Sequence, residues 1–195
     1  MDIVVHSASK YLGGHSDLIA GLVVTKGEEL SEKIKFLQNA IGAILAPQES
    51  WLLQRGMKTL GLRMRAHQSN AQTIFDYLKT QYKVGKIYFP GDPDNPDHAL
   101  AKQQMNGFGA MISFELKAGL DPEQFISNLK IITLAESLGA LESLIEIPAK
   151  MTHGAIPRNI RLSHGIQDEL IRLSVGVEDI EDLIEDLEQG FNQLK

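Results

Sequence analysis

Apolar residues along this chain change their spacing several times, and each change predicts an element. Ile3, Val4 and Val5 form a short apolar stretch, followed by small hydroxyl residues, Lys10 and the pair Gly13-Gly14. Residues 18–25 are a second, continuous apolar run of the kind that suits a strand buried on both faces. Residues 1–25 thus predict strand, glycine-rich turn, strand. Lys26-Gly27 breaks the run, and 28–45 predicts a helix that ends before Pro47. From Gln48 to Tyr82 the spacing is again helical, with Trp51, Leu52, Leu60, Leu62, Ile74, Phe75 and Leu78 as candidate core positions and Gly56 and Gly61 as places where it can bend.

The texture then changes. Ile87-Tyr88-Phe89 predicts a short strand, and the following Pro90-Gly91-Asp92-Pro93-Asp94-Asn95-Pro96 a surface loop. Beyond it the pattern predicts a strand over 110–116, a helix over about 121–130, a strand near 133–138, a strand over 170–175 and a final helix. In that helix Ile180, Leu183, Ile184, Leu187 and Phe191 recur at helical spacing. A domain boundary is expected inside the long helical stretch or just after it, which divides the chain into 1–65 and 66–195. The first part has α/β character, and the second reads as an α+β domain that folds from about residue 85 onward.

Charge and composition narrow the functions open to such a chain. With a formal net charge of -6, the 195 residues have no overall electrostatic reason to seek nucleic acid or an anionic membrane. There is no cysteine, hence no disulfide framework, zinc-thiolate site or cysteine nucleophile. No run reaches the roughly eighteen apolar residues of a membrane span, and the first residues lack the pattern of a secretory signal, so a cytoplasmic location is expected. The six histidines are scattered and suggest no metal site. Arg55, Lys58, Arg63 and Arg65 cluster locally and read as a solvated face or a subunit contact, not as a nucleic-acid patch. The acidic residues between Glu178 and Glu188 read as a solvated helix face, because no glycine interrupts them to form a calcium loop.

Two residues stand apart from this ordinary background. Lys10 lies where an apolar strand meets small residues, and a lysine desolvated there can be kept unprotonated, as imine chemistry with a carbonyl cofactor requires. Ser7 and Ser9 alternate along the expected strand, so their hydroxyls share a face and can hold a phosphate together. Arg172 sits in an apolar strand between Ile171 and Leu173. Its planar fork matches a carboxylate through two parallel hydrogen bonds, and a lysine would not replace it. From the residues alone, that carboxylate can be a ligand's or a structural partner's.

The run Ser7-Ala8-Ser9-Lys10-Tyr11-Leu12-Gly13-Gly14-His15-Ser16-Asp17 resembles the cofactor-lysine motif of the pyridoxal-phosphate-dependent cysteine and methionine metabolism family. That family includes cystathionine gamma-lyase, gamma-synthase and beta-lyase, methionine gamma-lyase and the O-acetylhomoserine sulfhydrylases. Residues 104–114, 136–139, 148–153 and 171–178 also resemble family segments, in family order, so the resemblance covers essentially the whole chain. It implies the end of an aspartate-aminotransferase-like (fold type I) large domain, followed by a small C-terminal α+β domain with an antiparallel sheet.

It further implies that Lys10 forms the internal aldimine with pyridoxal phosphate and shuttles protons, and that Ser7 and Ser9 contact the phosphate. Arg172 would clamp the substrate α-carboxylate with Ser137 as a second contact and Thr152 nearby. Glu136, beside Ser137, resembles members that work at the gamma carbon of cystathionine and could select a distal ammonium by charge. The expected function is a carbon–sulfur lyase or transferase of transsulfuration, of cystathionine gamma-lyase or gamma-synthase type.

By the same resemblance the family's chain is about twice as long. The phosphate loop, the ring-stacking tyrosine and the aspartate that pairs with the pyridine nitrogen would lie upstream. This predicts a truncated chain, inactive alone, which associates with itself or with a missing N-terminal fragment. The alternative to an enzyme is a non-catalytic, self-associating C-terminal fragment. Residues 1–25, deprived of upstream strands, are expected to rearrange, pair with another copy or cover the exposed surface in a non-family way.

Overall fold

Gly42 sets the first clear stop in the chain: at φ 78° it adopts the left-handed conformation that ends a helix, and its N–H reaches back to the Gln38 carbonyl at 3.0 Å. The computed structural model describes residues 1–194 and divides the chain into two compact units, Met1–Gly61 and Leu62–Lys195.

In the first unit β1 (Ile3–Ser7) and β2 (Gly21–Thr25) pair antiparallel in continuous register, from Ile3 opposite Thr25 to Ser7 opposite Gly21. α1 (Glu28–Ile41) opens with Glu28 and Glu29, which favour its positive end. α2 (Pro47–Met57) opens on Pro47, whose missing N–H costs nothing there. The expected single helix over 48–82 is two helices, because the chain tightens after Gly56. Lys58 and Thr59 N–H groups bond to Arg55 and Gly56 carbonyls, and the Thr59 hydroxyl adds a bond to Gly56 at 3.1 Å. The core of this unit is small: Ala8, Leu18 and Leu53, flanked by Leu12, Ala20, Leu22, Leu45 and Leu52. Trp51, an expected core residue, is exposed, and no residue of α1 is buried.

The second unit is built on α3 (Leu60–Thr80), which starts at the boundary and buries the expected Ile74, Phe75 and Leu78 while Leu62 is exposed. It then runs β3 (Val84–Tyr88), α4 (His98–Gln104), β4 (Met111–Leu116), α5 (Pro122–Ile126), β5 (Thr133–Leu134), β6 (Leu144–Glu146), α6 (Arg158–Ser163), β7 (Leu170–Ser174) and α7 (Ile180–Gln193). The strands form one sheet in the order β3-β4-β7-β6-β5. All neighbours are antiparallel except β5 and β6, which the loop 135–143 returns to the same direction.

Strand β4 alternates cleanly, with Ile112, Phe114 and Leu116 inward. Phe114, Phe125 of α5 and Phe191 of α7 meet edge to face or tilted, with Phe125 and Phe191 4.6 Å apart. Polar bonds fix α3 to the chain leaving β7: His67 Nδ1 lies 2.7 Å from the Val175 carbonyl, and Asn70 donates to the Glu178 carbonyl at 2.8 Å. Lys83 closes the C-terminus of α7 by donating to the Phe191 and Leu194 carbonyls, each at 2.7 Å. No helix among the described residues is long and apolar enough to cross a membrane.

Candidate functional site

Lys10 belongs to a single wide turn over Ala8–Leu12, closed by the Gly13 N–H on the Ala8 carbonyl at 2.9 Å. Such widened turns are uncommon and recur at functional sites. Its ends are held from both sides. Ala8 and Ser9 N–H groups bond to the Ala20 carbonyl at the start of β2, and the Gly14 N–H bonds to the Lys10 carbonyl at 2.8 Å. Lys10 itself leaves helical geometry at ψ -136° and is half-buried.

Two glycines make the turn possible by close approach. A Cβ on Gly13 would lie 2.9 Å from the Ala8 carbonyl oxygen, and one on Gly56 of α2 would lie 2.3 Å from the Gly13 oxygen. The two serines do not share a strand face: β1 ends at Ser7, which is exposed, and Ser9 lies in the turn. The Ser9 hydroxyl accepts from the Ala20 N–H at 2.9 Å and donates to the Ala20 carbonyl at 3.3 Å. It therefore stitches the turn to β2. The residues present fit a phosphorylated carbonyl cofactor on one side, with a half-buried lysine on a fixed turn and an exposed serine three residues before it.

In the second unit Arg172 lies on β7 directly opposite Glu146 of β6. Its Nη1 meets the Glu146 carboxylate at 2.8 Å, and its Nη2 donates to the Glu136 and Ser137 carbonyls at 2.8 and 3.1 Å. The guanidinium is 21% exposed and the carboxylate 1%. Arg172 Nε and Glu146 Oε2 are buried without a hydrogen-bond partner. Thr152, itself exposed, donates to Glu146 Oε1 at 3.2 Å, and its hydroxyl lies 2.9 Å from His153 Nδ1. Burial raises the Glu146 pKa, the Arg172 charge and the Thr152 bond oppose that rise, and the Glu136 charge adds to it.

The loop carrying Glu136 and Ser137 is braced. The Gly139 N–H donates to Ser174 Oγ at 2.9 Å, and the Ser143 hydroxyl donates to Glu178 at 2.8 Å.

Two of the four substrate-side residues expected from the sequence, Arg172 and Thr152, thus bond to one group the sequence reading missed, Glu146. Glu146 was legible: a lone acid in the apolar run Leu144-Ile145-Glu146-Ile147 carries the same signal as Arg172 between Ile171 and Leu173. Ser137 and Glu136 reach Arg172 through their carbonyls, while both residues are exposed.

Two expected solvated faces are corrected. Arg63 of the basic cluster is buried, which lowers its pKa. In the acidic helix Asp186 is buried and accepts from the Lys130, Ile131 and Ile132 N–H groups at 2.7, 3.0 and 2.9 Å.

Comparison with known proteins gives concordant matches. The family model described as Cys/Met metabolism PLP-dependent enzyme matches residues 1–192. Cystathionine beta-lyase of Lactococcus lactis subsp. cremoris (strain MG1363) is 58% identical over 98% of this chain and 50% of its own length. Cystathionine gamma-lyase of Bacillus subtilis (strain 168) is 55% identical over 99% and 51%. Among solved structures, cystathionine gamma-lyase from Lactobacillus plantarum complexed with L-serine superposes with a TM-score of 0.97 at 73% identity, over 99% of this chain and 51% of that one. Cystathionine gamma synthase from Xanthomonas oryzae pv. oryzae in complex with cystathionine gives 0.94 at 46% identity, over 98% and 50%.

The chain spans about half the length of the curated relatives it matches. The fold is that of the corresponding half of these fold type I proteins. Residues 1–25 keep the relatives' arrangement, which overturns the expectation that they rearrange.

Proposed function

The chain belongs to the Cys/Met metabolism PLP-dependent enzyme family, and on that premise we propose that it carries the cofactor lysine and the substrate-carboxylate arginine of a carbon–sulfur lyase acting on cystathionine or a similar sulfur amino acid. The observation that carries the reading is the fixed turn around Lys10. A half-buried lysine on a turn held by bonds to Ala20 and by the packing of Gly56 on Gly13 has its backbone pre-positioned.

When bound, pyridoxal phosphate supplies the electron sink that makes an amino acid's α-proton removable. Lys10 would hold the cofactor carbonyl through Nζ, and its amine would carry a proton between substrate carbons. Ser7 offers its hydroxyl to the phosphate, and Ser9 shares that role through the turn it fixes. Arg172 grips the α-carboxylate, with Ser137 beside it, and Thr152 supports the grip through Glu146.

Chemistry at the gamma carbon is favoured by Glu136, an exposed carboxylate next to Ser137 that suits the distal ammonium of cystathionine. The 73% identity to a protein named cystathionine gamma-lyase supports the same choice. The relatives near 55–58% carry both gamma- and beta-lyase names, so identity at that level does not separate them.

A second reading, a self-associating piece that needs the remaining half of the relatives' length for catalysis, is favoured by the apolar surface of the first unit. Val5, Ile19, Phe36 and Ile41 are each at least 70% exposed.

Cofactor trapping separates the two. The chain is incubated with pyridoxal phosphate at low concentration, reduced with borohydride and mapped by peptide mass spectrometry, with Lys10→Ala as the comparison. A stoichiometric adduct confined to Lys10 is the expected result and makes cystathionine assays worthwhile. Labelling spread over surface lysines and unchanged in Lys10→Ala refutes a formed cofactor site in this chain.

A further inference from the structure

Arg172 is already committed to groups of its own chain. Any two-pronged grip on a carboxylate uses at least one terminal nitrogen of the guanidinium, and here Nη1 holds Glu146 while Nη2 holds two carbonyls. Of its three nitrogens, Nε is buried without a hydrogen-bond partner among the described residues. An incoming carboxylate must therefore share or take the cation that balances Glu146.

Glu146 is poorly placed to lose it. It is buried, its Oε2 accepts from nothing, and the charge that faces it from the β5–β6 loop is the Glu136 carboxylate, of the same sign. The other groups around it are Thr152, one hydrogen-bond donor, and His153, whose charge opposes the rise more weakly than Arg172 does. A carboxylate in such a place restores neutrality by taking a proton instead of remaining charged.

We infer that Glu146 is a proton-linked positioning residue: it orients Arg172 in the free chain and takes up one proton when a carboxylate ligand occupies that arginine. The inference rests on the reading of Arg172 as the carboxylate grip. The ligand class is an α-amino acid carboxylate. The balance is simple, since one solvent proton adds to a Glu146 oxygen and no bond to carbon changes. The path is built in. His153 Nδ1 meets the Thr152 hydroxyl at 2.9 Å, and that hydroxyl donates to Glu146, so a hydrogen-bonded series joins the exposed Thr152 to the buried carboxyl. Burial raises the Glu146 pKa, the same direction as the proton uptake.

The sign follows by linkage. Affinity for the carboxylate is flat below the free-chain pKa of Glu146, where the proton is already bound. It falls by up to about tenfold per pH unit above that, until the higher pKa of the liganded state is passed.

The test uses the whole chain, isotope-labelled, titrated with L-serine and separately with ethanolamine, which is L-serine without its carboxylate. Nuclear magnetic resonance reads the Arg172 Nε–H and the Glu146 carboxyl carbon, assigned with Arg172→Lys and Glu146→Gln. The expected result is that L-serine moves the Arg172 signal and shifts the Glu146 carbon toward its protonated position, ethanolamine does neither, and affinity falls with pH. Glu146→Gln, which has no proton to gain, should bind L-serine with no pH slope.

If Arg172 responds while the Glu146 carbon and the affinity stay constant with pH, proton linkage is overturned and the carboxylate grip stands. If Arg172 does not respond to L-serine at any attainable concentration, the grip fails and the linkage with it. Should Glu146→Gln not fold, the native chain's carbon shift and pH slope decide the matter.

Discussion

Replacing Gly56 with alanine should destabilise the first unit, although the same change in a free helix stabilises it. Alanine exceeds glycine in helix propensity by about 1 kcal/mol in a helix interior, and less near the end of α2 where Gly56 lies. Against this gain stands a collision. The added Cβ would lie 2.3 Å from the Gly13 oxygen, 3.1 Å from its carbonyl carbon and 3.2 Å from its Cα. All three atoms are backbone, so no side chain can rotate away. Moving from 2.3 Å to an ordinary contact of 3.4 Å opens the two segments by about 1.1 Å.

Gly13 cannot retreat freely, because it is packed against the Ala8 carbonyl and Leu18, and its N–H closes the turn around Lys10. Overpacking of this kind costs about 1–3 kcal/mol. The net loss should be about 1–2 kcal/mol after the propensity gain. Trp51, the chain's one tryptophan, lies on α2 with the Arg55 guanidinium 5.6 Å from its ring, so its fluorescence follows this unit through a urea titration. The midpoint should fall for Gly56→Ala and stay nearly unchanged for the exposed Gln54→Ala. Cofactor trapping at Lys10 should fall with it. A midpoint equal to or above that of the native chain would refute the claim that α2 sets the Lys10 turn.

Two further expectations concern the second unit. Asp186→Ala removes three charge-assisted bonds to backbone N–H groups, of which that of Ile132 is buried, and should cost about 3 kcal/mol. Amide exchange at Ile132 should accelerate accordingly, and unchanged protection there would show that Asp186 is not the anchor. The Tyr77 hydroxyl is buried without a partner, and burial, helped by the Glu188 carboxylate, pushes its pKa up to about 12 from 10.0. Its folded-state pKa lies above the unfolded one, so the stability it contributes is complete below about pH 10 and lost as pH rises through about 12. Tyrosinate absorbance should show a late step that Tyr77→Phe removes, and titration of Tyr77 near pH 10 would contradict its burial.

Much of the fold was legible because period and punctuation are local properties. Strands β1, β2, β4 and β7 and helix α7 follow from apolar runs or helical spacing, and the Lys26-Gly27 break sets the start of α1, whose end falls at Gly42 and not just before Pro47. The elements missed were α4, β6 and α6, which are three to seven residues long and too short for a period to emerge. The long helix was read through its break, since a tightened turn at Gly56 to Leu60 leaves no gap in the apolar pattern. β5 was overextended because its apolar residues continue into a loop that turns back at Gly139, φ 75°.

By itself the sequence determined the family and the residue types that chemistry needs, because a lysine motif, an arginine in an apolar strand and their order are written in one dimension. What it could not determine is which groups face one another. Strand register alone puts Glu146 opposite Arg172, and only folding of the 135–143 loop brings the Glu136 and Ser137 carbonyls onto the same guanidinium. Likewise Gly56 looked like a bend in a helix, and only the approach of α2 to Gly13 gives it a role at the Lys10 turn. Burial decides the rest: Arg63 and Asp186 look like surface charges in any local window, and desolvation and hydrogen bonding, which depend on distant chain, make them part of the interior.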